Sequence, residues 1–204
     1  MALQRERPKL VLASSSATRA MLLKAAGLTF SISPAELDEG MVRKAAQGAG
    51  LDGGETALRL AEEKARSVGE RERDALVIAA DQMLVCGGKW FTKPADRAEA
   101  MLQLKALRGR THRLPTAVAC SLGAELRWSH VSEARLTFRL FSDATLEAVL
   151  DADPVGTVGS VGGYRLEGAG VLLCERIEGD HFSILGLPLL PLLGFLREHG
   201  VLVD

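Results

Sequence analysis

Two short, uninterrupted apolar runs constrain this chain most: KLVLAS at 9–14 and ALVIAA at 75–80, each giving way abruptly to polar residues. Runs of that length read as buried strands. Around them the period changes. A helical pattern extends from about Ser16 to Ala26, where Gly27 can end it, and a clearer one from about Glu55 to Val68. LTFSIS (28–33) alternates as a second strand, and short helical turns are expected near 41–47. Residues 82–93 read as a hairpin turning at Gly87–Gly88, and Pro94 suits the first turn of a helix over roughly 95–107. Two long strands, 112–121 and 126–140, flank Gly123. A helix at 142–150, strand-like segments at 162–166 and 171–177, and a final helix near 188–198 complete the pattern. Strands and helices alternate, which predicts an α/β chain; the paired strands at 112–140 predict a mixed sheet rather than a parallel one. At 204 residues, one domain, undivided or in two lobes, is expected.

Charge narrows the partners. With 25 basic against 26 acidic residues, the chain lacks the excess that a nucleic acid polymer would require, while a small pocket with a few cations is compatible. Cys86, Cys120 and Cys174 are odd in number and form no CxxC, which disfavours a disulfide framework or zinc site and suits a reducing cytosol. The four histidines show neither HxxxH nor HExxH spacing. The residues after Met1 are charged rather than apolar, and no run of about 18 apolar residues occurs, so a soluble cytoplasmic protein without membrane partner is predicted. The longest apolar tract, ILGLPLLPLLGFL (184–196), is broken by Pro188 and Pro191. It either packs the final helix on the sheet or supplies a dimer surface.

Several polar residues interrupt this scaffold where chemistry is natural. In LASSSATR (12–19), three serines fall between a strand and a helix. A helix N-terminus offers unpaired N–H groups and partial positive charge. Ser14 and Ser16 can therefore bind phosphate oxygens with Arg19 adding a guanidinium, or one serine can simply cap the helix above a solvated arginine. Ala57, Leu60, Ala61, Ala65 and Val68 form one apolar stripe that includes Lys64; its ammonium must snorkel out or meet an anion. Asp81 directly follows the run at 75–80, where a carboxylate can hold a hard cation, activate water or cap a turn. Asp38 and Glu39 form a second acidic pair, and Mg²⁺ needs only one or two carboxylates beside substrate phosphates, so Asp81 with Glu39 would suffice. Lys93 in FTKP and Arg110 in LRGRTH are further phosphate-contact candidates. No GxxxxGK[ST] loop is present, and the absence of a GxSxG elbow disfavours a serine hydrolase.

Four collinear blocks, LASSSATRAMLLKAAGLTF, AADQMLV, KPADRAEAMLQLKALRGRTH and GGYRLEGAG…IEGDHFSILGLPL, resemble the signature blocks of the Maf family of nucleoside triphosphate pyrophosphatases, from residue 9 to about 197. The resemblance implies one Maf-like domain over residues 1–204, with a Maf/inosine-triphosphatase-like fold: an elongated mixed sheet, flanking helices and a cleft between two lobes. It implies Mg²⁺-dependent (or Mn²⁺-dependent) hydrolysis of a nucleoside triphosphate to monophosphate and pyrophosphate, and points to a homodimer. By position, Ser14, Ser16 and Arg19 match the phosphate-binding motif LASxSxxR and Glu39 the acid after the second strand. Lys64 matches the lysine of LAxxKA, Asp81 the general base, and Lys93 the lysine of the KP motif. A nucleotide-binding regulator of cell division without strong turnover is the alternative the family suggests.

The chain departs from the family pattern in the first block, whose commonest form reads SPRR. Thr18 stands where the uridine/thymidine triphosphate branch has arginine and the 7-methyl-GTP branch tryptophan. Glu167, in YRLEG, matches the glutamate of the methyl-GTP branch rather than the glutamine of the pyrimidine branch. A carboxylate only accepts hydrogen bonds, and guanine presents adjacent N1–H and N2–H₂ donors. The expectation is therefore a guanine-type or modified purine base, with a UTP/dTTP preference as the alternative.

Overall fold

The computed structural model describes residues 3–203. In chain order it begins with β1 (Lys9–Leu12), α1 (Ala17–Ala25), β2 (Ser31–Ile32), α2 (Glu39–Gly48), α3 (Gly53–Gly69) and β3 (Ala75–Gln82). The hairpin β4 (Leu84–Cys86) and β5 (Lys89–Phe91) follows, then α4 (Arg97–Leu107) and the long strands β6 (Thr111–Leu122) and β7 (Glu125–Phe138). The remainder comprises α5 (Asp143–Ala152), α6 (Pro154–Gly159), two short 3₁₀ turns, β8 (Cys174–Glu178), α7 (His181–Ile184) and α8 (Leu189–Glu198). The eight strands form one mixed sheet ordered β2-β1-β3-β6-β4-β5, with β7 pairing β6 and β8. The α/β class with a mixed sheet is thus observed. No helix among the described residues is long and apolar enough to cross a membrane.

The chain divides into two compact units. The first contains the residues up to Asp81, Thr116–Ser132 and those from Gly186 onward; the second contains Gln82–Pro115 and Glu133–Leu185.

In the first unit β1 is parallel to both neighbours, with Val11 opposite Ser31 and Leu12 opposite both Ile32 and Ile78. Parallel pairing brings the C-terminal ends of β1 and β3 to one edge, the edge at which open α/β sheets carry functional groups. The next residues of β1 are Ala13 and Ser14, whereas β3 continues through Asp81 to Gln82, two residues beyond the predicted run. Leu10–Leu12, Val77, Ile78, Leu60, Ala61, Ala65 and Val68 are buried. The α3 stripe is the one the sequence predicts, and its start is well defined. Asp52 accepts from the Gly54 and Glu55 N–H groups, and Glu55 returns the bond to Asp52 N–H at 2.7 Å. Such a cap contributes about 1 kcal/mol. At the end of α1, Gly27 adopts φ +79° and Leu28 N–H reaches Leu23 O, the C-terminal stop expected of that glycine.

The second unit has its own core of Leu84, Phe91, Leu104, Leu107, Leu136, Phe138, Phe141, Leu146 and Leu173 with their neighbours. The β4–β5 hairpin turns at Gly87–Gly88 as predicted, with Leu84 opposite Phe91.

Four expectations change here, the first being that the strand expected over 28–33 is confined to Ser31–Ile32. The fourth helix starts at Arg97 rather than near 95, because Asp96 caps Glu99 N–H while Glu99 accepts from Ala95 N–H. Residues 162–166 are not a strand: Gly162 and Gly163 both take φ +77°, a left-handed pair that bends the backbone into a 3₁₀ turn. Residues 171–173 likewise belong to a 3₁₀ turn, and the strand starts only at Cys174. The sixth helix, unpredicted, has the Asp-Pro signature of a capped start, with Asp153 accepting Gly156 N–H ahead of Pro154.

Candidate active site

The first unit places a cluster of five charged side chains beside the β1–α1 junction. Lys64 projects from the buried face of α3 and is 7% exposed. Its Nζ lies 2.5 Å from Asp81 Oδ1 and 2.6 Å from Glu39 Oε1. The ammonium that the apolar stripe made improbable has therefore met two anions. Asp81, 4% exposed, comes from the last pair of residues of β3. Glu39 opens α2, whose cap Asp38 accepts from Met41 N–H at 3.0 Å.

Sequence reasoning missed Arg43. It stands one helical turn beyond Glu39, donates to Glu39 Oε2 at 2.5 Å, and lies 3.9 Å from Asp81 Oδ2. The E-x-x-x-R spacing in EGMVR was the available signal, since i and i+4 share a helix face. Partial burial acts to raise the Glu39 pKa, but Lys64 and then Arg43 overcome it and hold the carboxyl down at about 2. Glu39 is thus an anion throughout the neutral range.

The serine run adjoins this cluster. Ser16 is the N-cap of α1, its Oγ accepting from Arg19 N–H at 3.3 Å. Ser14 is buried; its Oγ accepts from Ser16 N–H at 3.2 Å and from Arg19 Nη1 at 3.1 Å. Arg19 Nε also donates to Gly186 O at 2.8 Å. Burial lowers the Arg19 pKa, and the attraction of Asp81 and Glu39 offsets this only in part. Ser16 thus caps the helix, as one reading of LASSSATR has it, while Arg19 is held rather than solvated. Thr18, on the same helix, is half-buried.

Asp81 Oδ2 is buried without a hydrogen-bond partner among the described residues. A buried carboxylate oxygen in that condition is a place for a cation or water to be bound. Among the described residues no group of three or more His, Cys, Asp or Glu side chains could hold a metal. The donor set of Asp81 with Glu39 nevertheless fits Mg²⁺, which usually takes one or two carboxylates and fills its other positions with water and phosphate oxygens.

Ser14, Ser16, Arg19, Glu39, Lys64 and Asp81 thus fall in one unit, together with Arg43. Lys93, Arg110 and Glu167 belong to the second. Lys93 is exposed in the segment after β5, four residues ahead of the helix it was expected to abut. Arg110 donates to Ala106 O at 3.4 Å near the end of α4 and lies over Gly87, so it also serves that helix terminus. Glu167 is exposed in the turn after the two left-handed glycines.

A strand edge carrying a buried acid, with clustered cations beside a serine-capped helix N-terminus, defines a site for polyanion chemistry. The chain belongs to the Maf-like protein family, whose profile matches residues 9–199. It is 47% identical over 194 residues to a nucleoside triphosphate pyrophosphatase of Granulibacter bethesdensis, covering 95% of this chain and 98% of that one. A relative of the same description from Nitrobacter hamburgensis is 50% identical over 203 residues, with 99% of both chains covered. A 7-methyl-GTP pyrophosphatase of Rhizobium etli is 46% identical over 195 residues, covering 96% of this chain and 98% of that one.

Proposed function

We propose that this chain is a cytoplasmic nucleoside triphosphate pyrophosphatase that cleaves between the α- and β-phosphates, releasing a monophosphate and pyrophosphate. The observation that carries the reading is the Glu39–Lys64–Asp81 cluster beside Arg19 and Arg43. Its three cations exceed its two acids, which suits a polyanion. The names of the relatives agree with it.

Asp81 is the proposed general base. Its Oδ2 has a free acceptor position, and its other oxygen is fixed by Lys64, so the carboxylate can orient a water molecule and take its proton. Lys64 and Arg19 neutralise charge on the phosphates and on the departing pyrophosphate, with Lys93 as a further phosphate contact. Ser14 and Ser16 present hydroxyls and the first N–H groups of α1 to phosphate oxygens. Glu39 and Asp81 would hold Mg²⁺ or Mn²⁺, which when bound supplies Lewis-acid charge neutralisation on the phosphoryl oxygens. The proposed base is guanine or a modified purine such as 7-methylguanine, because Glu167 can only accept; the similarity to the 7-methyl-GTP enzyme agrees. Self-association into a dimer belongs to the same proposal, with Leu190 of α8, 59% exposed, as an apolar surface residue.

The test is a panel of 7-methyl-GTP, GTP, UTP and dTTP with Mg²⁺, monitored for pyrophosphate. Pyrophosphate with a matching monophosphate is expected, lost on chelation and restored by Mg²⁺ or Mn²⁺. Orthophosphate with a diphosphate product would place cleavage at the wrong bond, and binding without product would leave a regulator. A clear UTP or dTTP preference would overturn the base assignment.

A further inference from the structure

Glu167 lies in a segment that ought to be loose. Gly162, Gly163, Gly168 and Gly170 fall within nine residues, and glycine loses more backbone freedom on ordering than any other residue. The segment is instead held at successive residues. Arg165–Gly168 is a tight turn closed by Gly168 N–H to Arg165 O at 3.3 Å, with Glu167 third of its four residues. The first residue of that turn is clamped. Arg165 donates from Nε to Asp153 Oδ2 at 2.9 Å and from Nη2 to Asp153 Oδ1 at 2.6 Å. Asp153 is itself fixed as the cap of α6, accepting Gly156 N–H at 2.9 Å and, on its carbonyl, Thr157 Oγ1 at 2.8 Å.

One residue earlier a second anchor goes inward. The Tyr164 hydroxyl lies 2.6 Å from Nε2 of His112, which is wholly buried and edge-on to the rings of Phe138 and Tyr164. The glycines permit this closeness. A Cβ at Gly168 would come within 2.6 Å of Asp153 Oδ2, and one at Gly170 within 2.5 Å of Arg165 O. Partly exposed ion pairs contribute little to stability, so a bidentate fork on this turn is better explained by the geometry it imposes.

We infer that the Arg165–Asp153 and Tyr164–His112 pairs are positioning pairs that fix the Glu167 carboxylate and thereby set base selectivity. This rests on the pyrophosphatase reading and on Glu167 as the base reader. Glu39, Lys64 and Asp81 belong to the first unit, whereas both pairs belong to the second. Their contribution is to hold an acceptor where displacement of about 1 Å would cost discrimination.

The experiment compares kcat/KM for 7-methyl-GTP with that for UTP, both measured on the same sample of each variant. That ratio is independent of the fraction of protein folded, so loss of stability alone does not move it. Glu167→Gln is expected to shift the ratio towards UTP by about tenfold or more. Arg165→Met, which leaves Asp153 to cap α6, and Tyr164→Phe, which removes one hydroxyl, are each expected to shift it the same way by roughly three- to tenfold. Arg165→Lys, keeping charge but not the fork, should fall between wild type and Arg165→Met. If Glu167→Gln moves the ratio while Arg165→Met and Tyr164→Phe stay within about twofold of wild type, the positioning role is rejected and the base reader stands. If Glu167→Gln leaves the ratio unchanged, the base reader itself is rejected, and the positioning role with it.

Discussion

Lys64 Nζ sits 2.5 Å from Asp81 Oδ1 at the end of β3 while 2.6 Å from Glu39 Oε1 at the start of α2. One buried ammonium thereby bridges two carboxylates. Such an arrangement is a poor way to gain stability, because desolvating the charges offsets most of their attraction and apolar residues of similar volume often do better. Its presence on an otherwise apolar helix face therefore points to chemistry.

Asp81→Asn tests that chemistry most directly. The amide oxygen can still accept from Lys64, so the cluster should keep its shape, but the group no longer takes a proton. Turnover should fall by about a hundredfold or more, the usual contribution of a positioned base. Nucleotide affinity, read by equilibrium binding, should change little. Undiminished pyrophosphate release would reject Asp81 as the base.

Lys64→Met preserves the stem and deletes the charge, leaving Glu39 and Asp81 side by side without the ammonium between them and with Arg43 as the remaining nearby cation. Removing one partner of a buried ion pair typically costs about 3–5 kcal/mol. A lowered urea midpoint at neutral pH is expected, with part of the loss recovered in Lys64→Met/Glu39→Gln. A midpoint at the wild-type value would show that the ammonium is not paired as the structure shows.

How much of this was legible depended on whether the signal was local. The α3 stripe, Gly27 as a helix stop and the Gly87–Gly88 hairpin are short-range patterns, and each appears where the sequence places it. The misfit of Lys64 was legible too, but its partners were not, since Glu39 and Asp81 lie 25 and 17 positions away and only folding joins them. Arg43 escaped notice because an i, i+4 pair on an exposed-looking helix is ordinary until a third residue, Asp81, is brought near it. Residues 162–166, GGYRL, were expected as a strand, whereas the backbone follows the two left-handed glycines that open the segment.

Gly69, the last residue of α3, is packed against the β6–β7 turn. A methyl group there would overlap the carbonyl oxygen of Gly123 and lie 3.0 Å from Ser121 Oγ. Gly123 has φ +54°, so the turn cannot easily yield. Gly69→Ala should therefore destabilise the protein by roughly 2–3 kcal/mol, despite the better helix propensity of alanine. Chemical denaturation measures it; a gain in stability would mean that α3 and the turn are less closely apposed.

His112 gives the fold a pH dependence of its own. Burial drives its pKa down from 6.5 to about 4, and its Nδ1 has no hydrogen-bond partner among the described residues. The Tyr164 hydroxyl on Nε2 is pushed upward by burial, and the nearby Cys174 thiol rises to about 11, so neither titrates in the acid range. The unfolded chain takes up a proton near pH 6.5, whereas the folded chain refuses it until about 4. Stability is then full above 6.5 and declines as pH falls through that window, by up to about 3 kcal/mol from this residue. His112→Asn, which can still reach the Tyr164 hydroxyl but cannot titrate, should be less stable than wild type at pH 7.5. The difference should shrink steadily towards pH 4.5 in urea titrations, and a constant gap across that range would remove His112 as the source.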